Sequence, residues 1–166
     1  MSKTLILVRH GKPEPTGLGK ADFERELTPE GAAALARPDG FPRTFSLLSD
    51  AERAGAEIWA SPAVRAQQTA RAAARAIGVD EVRSCEALWQ QDHAGFIAQV
   101  TKSTARCIVA VGHIPFMNEA TAFLADVAVS FKPAAAAALE IPDDMRPSAL
   151  EKGSCRLLWF VQGPKA

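Results

Sequence analysis

The chain has 166 residues, 48% apolar and 23% charged, which is the composition of an ordinary soluble globular protein. A chain of this length is expected to form one domain over residues 1–166 and to bury roughly two-thirds of its unfolded surface. Lys and Arg together number 19, as do Asp and Glu. The zero net charge argues against a nucleic-acid or membrane partner held by a global basic field.

Two features favour a cytoplasmic protein. The apolar run at the amino terminus ends at Arg9, too early for a signal-peptide core or a membrane span. The cysteines, Cys85, Cys107 and Cys155, are odd in number and far apart, which argues against a disulfide framework.

The first predicted element is a buried strand over Thr4–Val8, a short aliphatic run that stops at Arg9, His10 and Gly11. Ligands of open α/β proteins bind beyond the carboxyl ends of the strands. Gly11 allows a sharp turn or a close approach to a ligand. Arg9 and His10 are therefore candidate site residues.

A polar loop over Lys12–Leu27 leads to a predicted helix that ends near Ala36. Thr28 supplies a capping hydroxyl, and Pro29 occupies the first helical position. Pro38 follows the helix and stops it.

Strand-like and helix-like segments alternate along the rest of the chain, which predicts a three-layer α/β sandwich with a mainly parallel central sheet and helices on both faces. The alanine run 134–138 is typical of a helix, but the alternation that follows it favours a strand. The further predicted helices cover Phe45–Ala54, Pro62–Ile77, Gly95–Lys102 and the segment from Pro115 to about Ala125. The further predicted strands cover Glu57–Ala60, a segment near Val82, Ile108–Val111, Ala136–Ile141 and Cys155–Val161.

Two later strand-to-helix junctions carry groups like those of Arg9 and His10. Arg65 lies about one turn into the helix that Ser61 and Pro62 start, and His113 follows a strand end. Right-handed crossovers in a parallel sheet bring such junctions to one edge. Guanidinium forks and helix amino termini there predict a phosphate site.

Two histidines in such a site allow catalysis as well as binding. One imidazole can attack phosphorus while the other donates a hydrogen bond to an equatorial oxygen. A phosphohistidine intermediate then divides one hard displacement into two easier ones.

Four segments in this order resemble motifs of the histidine phosphatase superfamily, also called the phosphoglycerate mutase-like fold. They are Leu7–Gly11, Asp22–Gly31, Ser61–Thr69 and Val111–His113. The resemblance covers nearly the whole chain, and the short length is most similar to the SixA-type phosphohistidine phosphatase branch.

The resemblance implies that His10 is the nucleophile and that Arg9, Arg65 and His113 form the phosphate pocket, with no metal or other cofactor. Many members carry a glutamate general acid after the third strand. Glu86 is the best positional candidate for a catalytic acid here, and Asp92 is the second.

The weak acid motif favours an activated substrate. A phosphomonoester expels an alkoxide that needs a proton, whereas a protonated phosphohistidine leaves as neutral imidazole. Loss of phosphohistidine hydrolysis in Glu86→Gln would contradict this argument.

Other residues invite functional interpretations that their spacing does not favour. The three histidines lack zinc-site spacing, and His93 is expected to be exposed. Gly17–Lys20 lacks the spacing of a phosphate-binding loop. Trp59, Trp89 and Trp159 are expected to pack in the core.

The function expected from the sequence is a metal-independent phosphatase that uses a phosphohistidine intermediate, with phosphohistidine in proteins as substrate. A short chain with few insertions suits an open site. Two alternatives stay open: a phosphatase of small phosphomonoesters and a non-catalytic phosphate-binding module. A mutase would need an enclosing lid.

Overall fold

The computed structural model describes residues 2–143 and 150–166. Six strands form one sheet in the order β3-β2-β4-β1-β5-β6. The strands are β1 (Lys3–Arg9), β2 (Ala56–Ala60), β3 (Val82–Ser84), β4 (Cys107–Gly112), β5 (Ala136–Ile141) and β6 (Arg156–Val161). Strands β1 to β4 pair in parallel, and β5 runs antiparallel to β1 and to β6. The predicted mainly parallel sheet is confirmed.

Seven α-helices accompany this sheet among the described residues. They are α1 (Pro29–Ala36), α2 (Phe41–Phe45), α3 (Asp50–Ala54), α4 (Val64–Ile77), α5 (Glu86–Gln90), α6 (His93–Lys102) and α7 (Phe116–Ala125). A 3-10 helix over Asp22–Glu24 precedes α1. None of the helices in the described ranges is both long and apolar enough to cross a membrane.

Alternation along β1 creates two cores, one on each face of the sheet. Leu5 and Leu7 belong to the core that α5, α6 and α7 cover, whereas Ile6 and Val8 belong to the core under α1, α2 and α4. Successive side chains of a strand point to opposite faces. This buried central strand therefore brings Arg9 and His10 to the carboxyl edge of a three-layer sandwich.

The prediction of one helix over Phe45–Ala54 is wrong. The chain forms α2 and α3, separated by a turn. Ser49 starts α3 with a capping box, because its hydroxyl accepts the Glu52 N–H and the Glu52 carboxylate accepts the Ser49 N–H. This local cap begins a new helix instead of extending the previous one.

Two further differences concern the site. The helix predicted from Pro62 begins at Val64, and Ser61 does not cap it. Helix α5 was not predicted, and it occupies part of the segment in which a general acid was expected. By contrast, Thr28 caps α1 as predicted, accepting the Gly31 N–H at 2.9 Å.

Candidate active site

The four residues of the predicted phosphate pocket meet at one cleft at the carboxyl edge of the sheet. The cleft has a volume of about 550 Å³. Its lining includes the four predicted residues, Arg9, His10, Arg65 and His113. It also includes six residues that were not predicted to belong to the site, Pro13, Asp22, Arg25, Trp89, Gln91 and Ile114. The structure thus brings together groups from β1, α4 and the end of β4.

His10 lies at the floor of the cleft, only 6% exposed. Its Nδ1 lies 2.7 Å from the carbonyl oxygen of Gly11. Because a carbonyl oxygen only accepts, Nδ1 carries the proton and Nε2 holds the free electron pair. Burial lowers the pKa of His10 from 6.5 to about 3, despite the opposing hydrogen bond to Gly11. The imidazole is therefore neutral near pH 7, the form that a nucleophile requires.

Arg65 lies beside this nucleophile in the first turn of α4. Its Nε is 3.4 Å from His10 Nε2. Its Nη1 donates to the backbone carbonyl of Asp22 at 2.6 Å, and its Nη2 lies 3.3 Å from the Asp22 carboxylate. The guanidinium is thus held at the point where a phosphoryl group on His10 would carry its charge.

Arg9 supplies a second guanidinium with an unused donor. Its Nη1 donates to the carbonyl of Phe131 at 2.8 Å. Its Nε is buried and has no hydrogen-bond partner within the described part of the chain. A buried donor without a partner costs about 1–3 kcal/mol, and Arg9 lines the cleft.

His113 faces His10 with 5.2 Å between the ring centroids. Its Nε2 hydrogen-bonds the hydroxyl of Ser61 at 2.8 Å. Burial, with a further effect of Arg65, lowers the pKa of His113 to about 4. A phosphate anion in the cleft would favour the charged imidazoles and raise both pKa values.

Thr69 links the two motifs that carry His10 and Arg65. Its hydroxyl accepts the Gly11 N–H at 3.0 Å and donates to the carbonyl of Arg65 at 2.8 Å. The residue is completely buried. The turn after β1 and the first turns of α4 are therefore fastened to each other directly behind the cleft.

Asp22 and Arg25 were missed as lining residues, although their segment was recognised as a loop-to-helix element. Arg25 donates to Asp22 through Nε at 2.9 Å and Nη2 at 2.7 Å. This pairing with Arg25 holds the pKa of Asp22 below its ordinary value. The sequence signal that could have identified this pair is an acidic residue followed three positions later by an arginine.

The structure does not bring Glu86 or Asp92 into the cleft lining. Glu86 is exposed in the first turn of α5. Asp92 caps α6 by accepting the Gly95 N–H at 3.0 Å. From this segment the cleft receives Trp89 and Gln91 instead, so Trp89 contributes to the site rather than only to packing.

Neither His93 nor the cysteines belong to the cleft. His93 stacks on Phe116 with 4.1 Å between centroids. Cys85, Cys107 and Cys155 are free thiols. The described residues contain no group of three or more His, Cys, Asp or Glu side chains arranged to hold a metal ion.

The chain also matches a known protein family. The sequence profile of the histidine phosphatase superfamily (branch 1) covers residues 5–96. No curated protein matches the chain.

Several solved structures share the fold. The protein histidine phosphatase SixA complexed with tungstate has a TM-score of 0.71, with 15% identity over 96% of each chain. A SixA-type protein from Agrobacterium tumefaciens has a TM-score of 0.70, with 23% identity over 97% of this chain and 98% of that one. A mycobacterial glucosyl-3-phosphoglycerate phosphatase has a TM-score of 0.69, with 14% identity over 99% of this chain and 100% of that one. The profile match over more than half of the sequence, together with this fold, shows that the chain belongs to the histidine phosphatase superfamily and is a phosphoric-group hydrolase.

Proposed function

We propose that this protein is a metal-independent phosphatase that hydrolyses phosphohistidine in proteins through a phosphohistidine intermediate on His10. The observation that carries the proposal is the buried, neutral imidazole of His10, whose unprotonated Nε2 accepts a hydrogen bond from Arg65 Nε. The unpartnered Nε of Arg9 and the ring of His113 complete a pocket for a phosphoryl group.

In the first step His10 Nε2 forms a bond to phosphorus while the bond from phosphorus to the substrate nitrogen breaks. The electron pair of that bond returns to the substrate ring. A substrate imidazole already protonated on its other nitrogen then leaves as a neutral ring. The guanidinium groups of Arg9 and Arg65 stabilise charge on the transferring oxygens.

In the second step water attacks phosphorus on His10, and the bond from phosphorus to Nε2 breaks. The electron pair returns to Nε2, and both water protons stay on the released phosphate. The imidazole regains the neutral form with the proton on Nδ1, held by Gly11. The nucleophile at phosphorus is an imidazole in the first step and a water molecule in the second, so no metal is required to generate it.

The acidic residues near the cleft favour a substrate whose leaving group needs no proton from the enzyme. Asp22 is the carboxylate among the lining residues, and its lowered pKa makes it ionised near neutral pH. An ionised carboxylate cannot protonate an alkoxide, which the hydrolysis of an ordinary phosphomonoester requires. We retain Glu86 as a proposed acid for substrates that need one, although it lies outside the cleft lining.

A phosphatase of small phosphomonoesters is the second candidate. Arg25, Gln91 and Asp22 at the cleft could hydrogen-bond the hydroxyl or acidic groups of such a substrate. The mycobacterial glucosyl-3-phosphoglycerate phosphatase shows that the same fold accommodates a small phosphate ester. The remaining alternative from the sequence, a binding module without turnover, conflicts with the assignment of the chain as a phosphoric-group hydrolase.

The test compares wild type, His10→Ala and the control His93→Ala in buffer that contains EDTA. Each protein is incubated with a phosphohistidine-bearing protein and, separately, with an aryl phosphate. We expect phosphohistidine turnover in wild type and His93→Ala, loss in His10→Ala, and poor hydrolysis of the aryl phosphate. Brisk hydrolysis of the aryl phosphate alone would favour the small-molecule reading, and loss of turnover in EDTA would contradict metal independence.

Two further proposals concern the cellular location and the number of domains. We propose a cytoplasmic location, which the three free thiols support. We also propose that residues 1–166 form one histidine phosphatase domain, because the described strands share a single sheet.

A further inference from the structure

The floor and the rim of the catalytic cleft differ in character. His10 and His113 at the floor are each 6% exposed, whereas Phe23 and Ile114 near the rim are 38% and 36% exposed. In an in-line displacement the leaving group departs opposite the attacking atom. Since the attacking nitrogen lies at the floor, the leaving group must occupy the rim.

One side of this rim is aromatic. The rings of Phe23 and Trp89 meet edge to face, with centroids 5.2 Å apart. Trp89 also meets the ring of His113 at 5.5 Å, and the guanidinium carbon of Arg65 lies 6.0 Å from the Trp89 ring. Trp89 is thus held by contacts with two of the four phosphate-pocket residues, next to the path of the leaving group.

Asp22 places a carboxylate at the same rim. Its side chain is 55% exposed, and Oδ2 lies 3.3 Å from Nη2 of Arg65. Phe23 directly follows it in the 3-10 helix. One short segment therefore supplies a hydrogen-bond acceptor in the cleft lining and an aromatic ring that packs against the lining residue Trp89.

We propose that Trp89, Phe23 and Asp22 form a leaving-group subsite that selects a planar nitrogen ring. The inference rests on the proposed function and adds the residues that set its specificity. The ring of the leaving imidazole packs against the aromatic pair, and its second nitrogen donates its N–H to the carboxylate of Asp22. A ringless leaving group such as ammonia has no ring to pack against the aromatic pair and no second nitrogen to donate to Asp22.

Free phosphohistidine and phosphoramidate test this subsite, because both carry a phosphorus–nitrogen bond and only the first has a ring. The readout is the ratio of kcat/KM for phosphohistidine to kcat/KM for phosphoramidate. We expect Trp89→Leu to lower this ratio roughly fivefold, since a lost aromatic contact has about this effect. Trp89→Phe keeps a ring and should retain most of the ratio. The matched control is Phe123→Leu, an exposed aromatic residue on α7 outside the cleft.

The carboxylate is tested with Asp22→Asn and its neighbour Glu24→Gln, which is exposed in the same 3-10 helix. Asp22→Asn also changes the surroundings of Arg65, but that effect acts on both substrates and cancels in the ratio. We expect the ratio to fall in Asp22→Asn and to stay at the wild-type value in Glu24→Gln.

The outcomes separate the two proposals. An unchanged ratio in Trp89→Leu with a wild-type circular dichroism spectrum overturns the subsite and leaves the proposed function standing. A wild-type protein that releases phosphate from neither compound, nor from a phosphohistidine-bearing protein, overturns the proposed function, and the subsite with it. If Trp89→Leu fails to fold, Phe23→Leu replaces it, and an unchanged ratio there overturns the subsite.

Discussion

At the scale of single residues, burial is what makes His10 a nucleophile. Gly11 holds the proton on Nδ1, and desolvation keeps the ring neutral, with a further contribution in the same direction from the neighbouring charge of Arg65. Desolvation also lowers the pKa of His113. Both histidines therefore destabilise the folded protein in acid, because they bind protons more readily in the unfolded chain than in the folded protein.

The acid dependence of stability follows from these two pKa values. The folded pKa values of about 3 for His10 and about 4 for His113 lie below the ordinary 6.5. At pH values between the folded pKa and 6.5, the unfolded state binds more protons than the folded state. The free energy of unfolding therefore has its full value above pH 6.5 and falls as the pH decreases. We expect His113→Gln to lose less thermal stability than wild type when the pH is lowered from about 7 to about 5.

Thermal unfolding followed by circular dichroism at both pH values measures this effect. His93→Gln is the comparison variant, because it removes a histidine that stacks on Phe116 outside the cleft. An equal loss in His113→Gln and wild type would show that His113 does not resist protonation in the folded protein.

At the scale of elements, the sequence predicted the strands and long helices well, since their signals are local. The alanine-rich β5 was identified by the alternation that follows it, and its buried position between β1 and β6 overrides alanine's helix propensity. The four pocket residues were identified because each follows a strand or begins a helix. Asp22 and Trp89 were missed, because a 3-10 turn and the short α5 place them through tertiary contacts that no periodicity records.

Thr69 provides a test of how two elements are fastened together. Thr69→Val keeps the shape of the side chain and leaves the buried Gly11 N–H without its acceptor. We expect a loss of about 1–3 kcal/mol in the free energy of unfolding, measured by urea denaturation, and a lower kcat for phosphohistidine.

The matched control is Thr121→Val in α7, where the hydroxyl only donates to the carbonyl of Met117 one turn earlier. That carbonyl belongs to a helix, so the variant should lose less stability and keep its kcat. Equal losses in both variants would mean that Thr69 is an ordinary buried threonine and does not position the site.

At the scale of the whole molecule, the sheet topology explains why one cleft holds every reacting group. The parallel strands β1, β2 and β4 end at the same edge, and the chain leaves them at His10, Ser61 and His113. Just before β5, which runs the other way, the carbonyl of Phe131 anchors Arg9. The antiparallel strand therefore supports the phosphate pocket from its amino end.

The most direct test of the account is to trap the phosphorylated enzyme. Wild-type protein is mixed with a phosphohistidine-bearing protein labelled on phosphorus, quenched rapidly in alkali, and mapped by peptide mass spectrometry. We predict an acid-labile, alkali-stable phosphoryl group on the peptide that contains His10, appearing before free phosphate and absent from His10→Ala. Phosphate release without such an intermediate, or a label on another residue that persists in His10→Ala, would contradict covalent catalysis at His10.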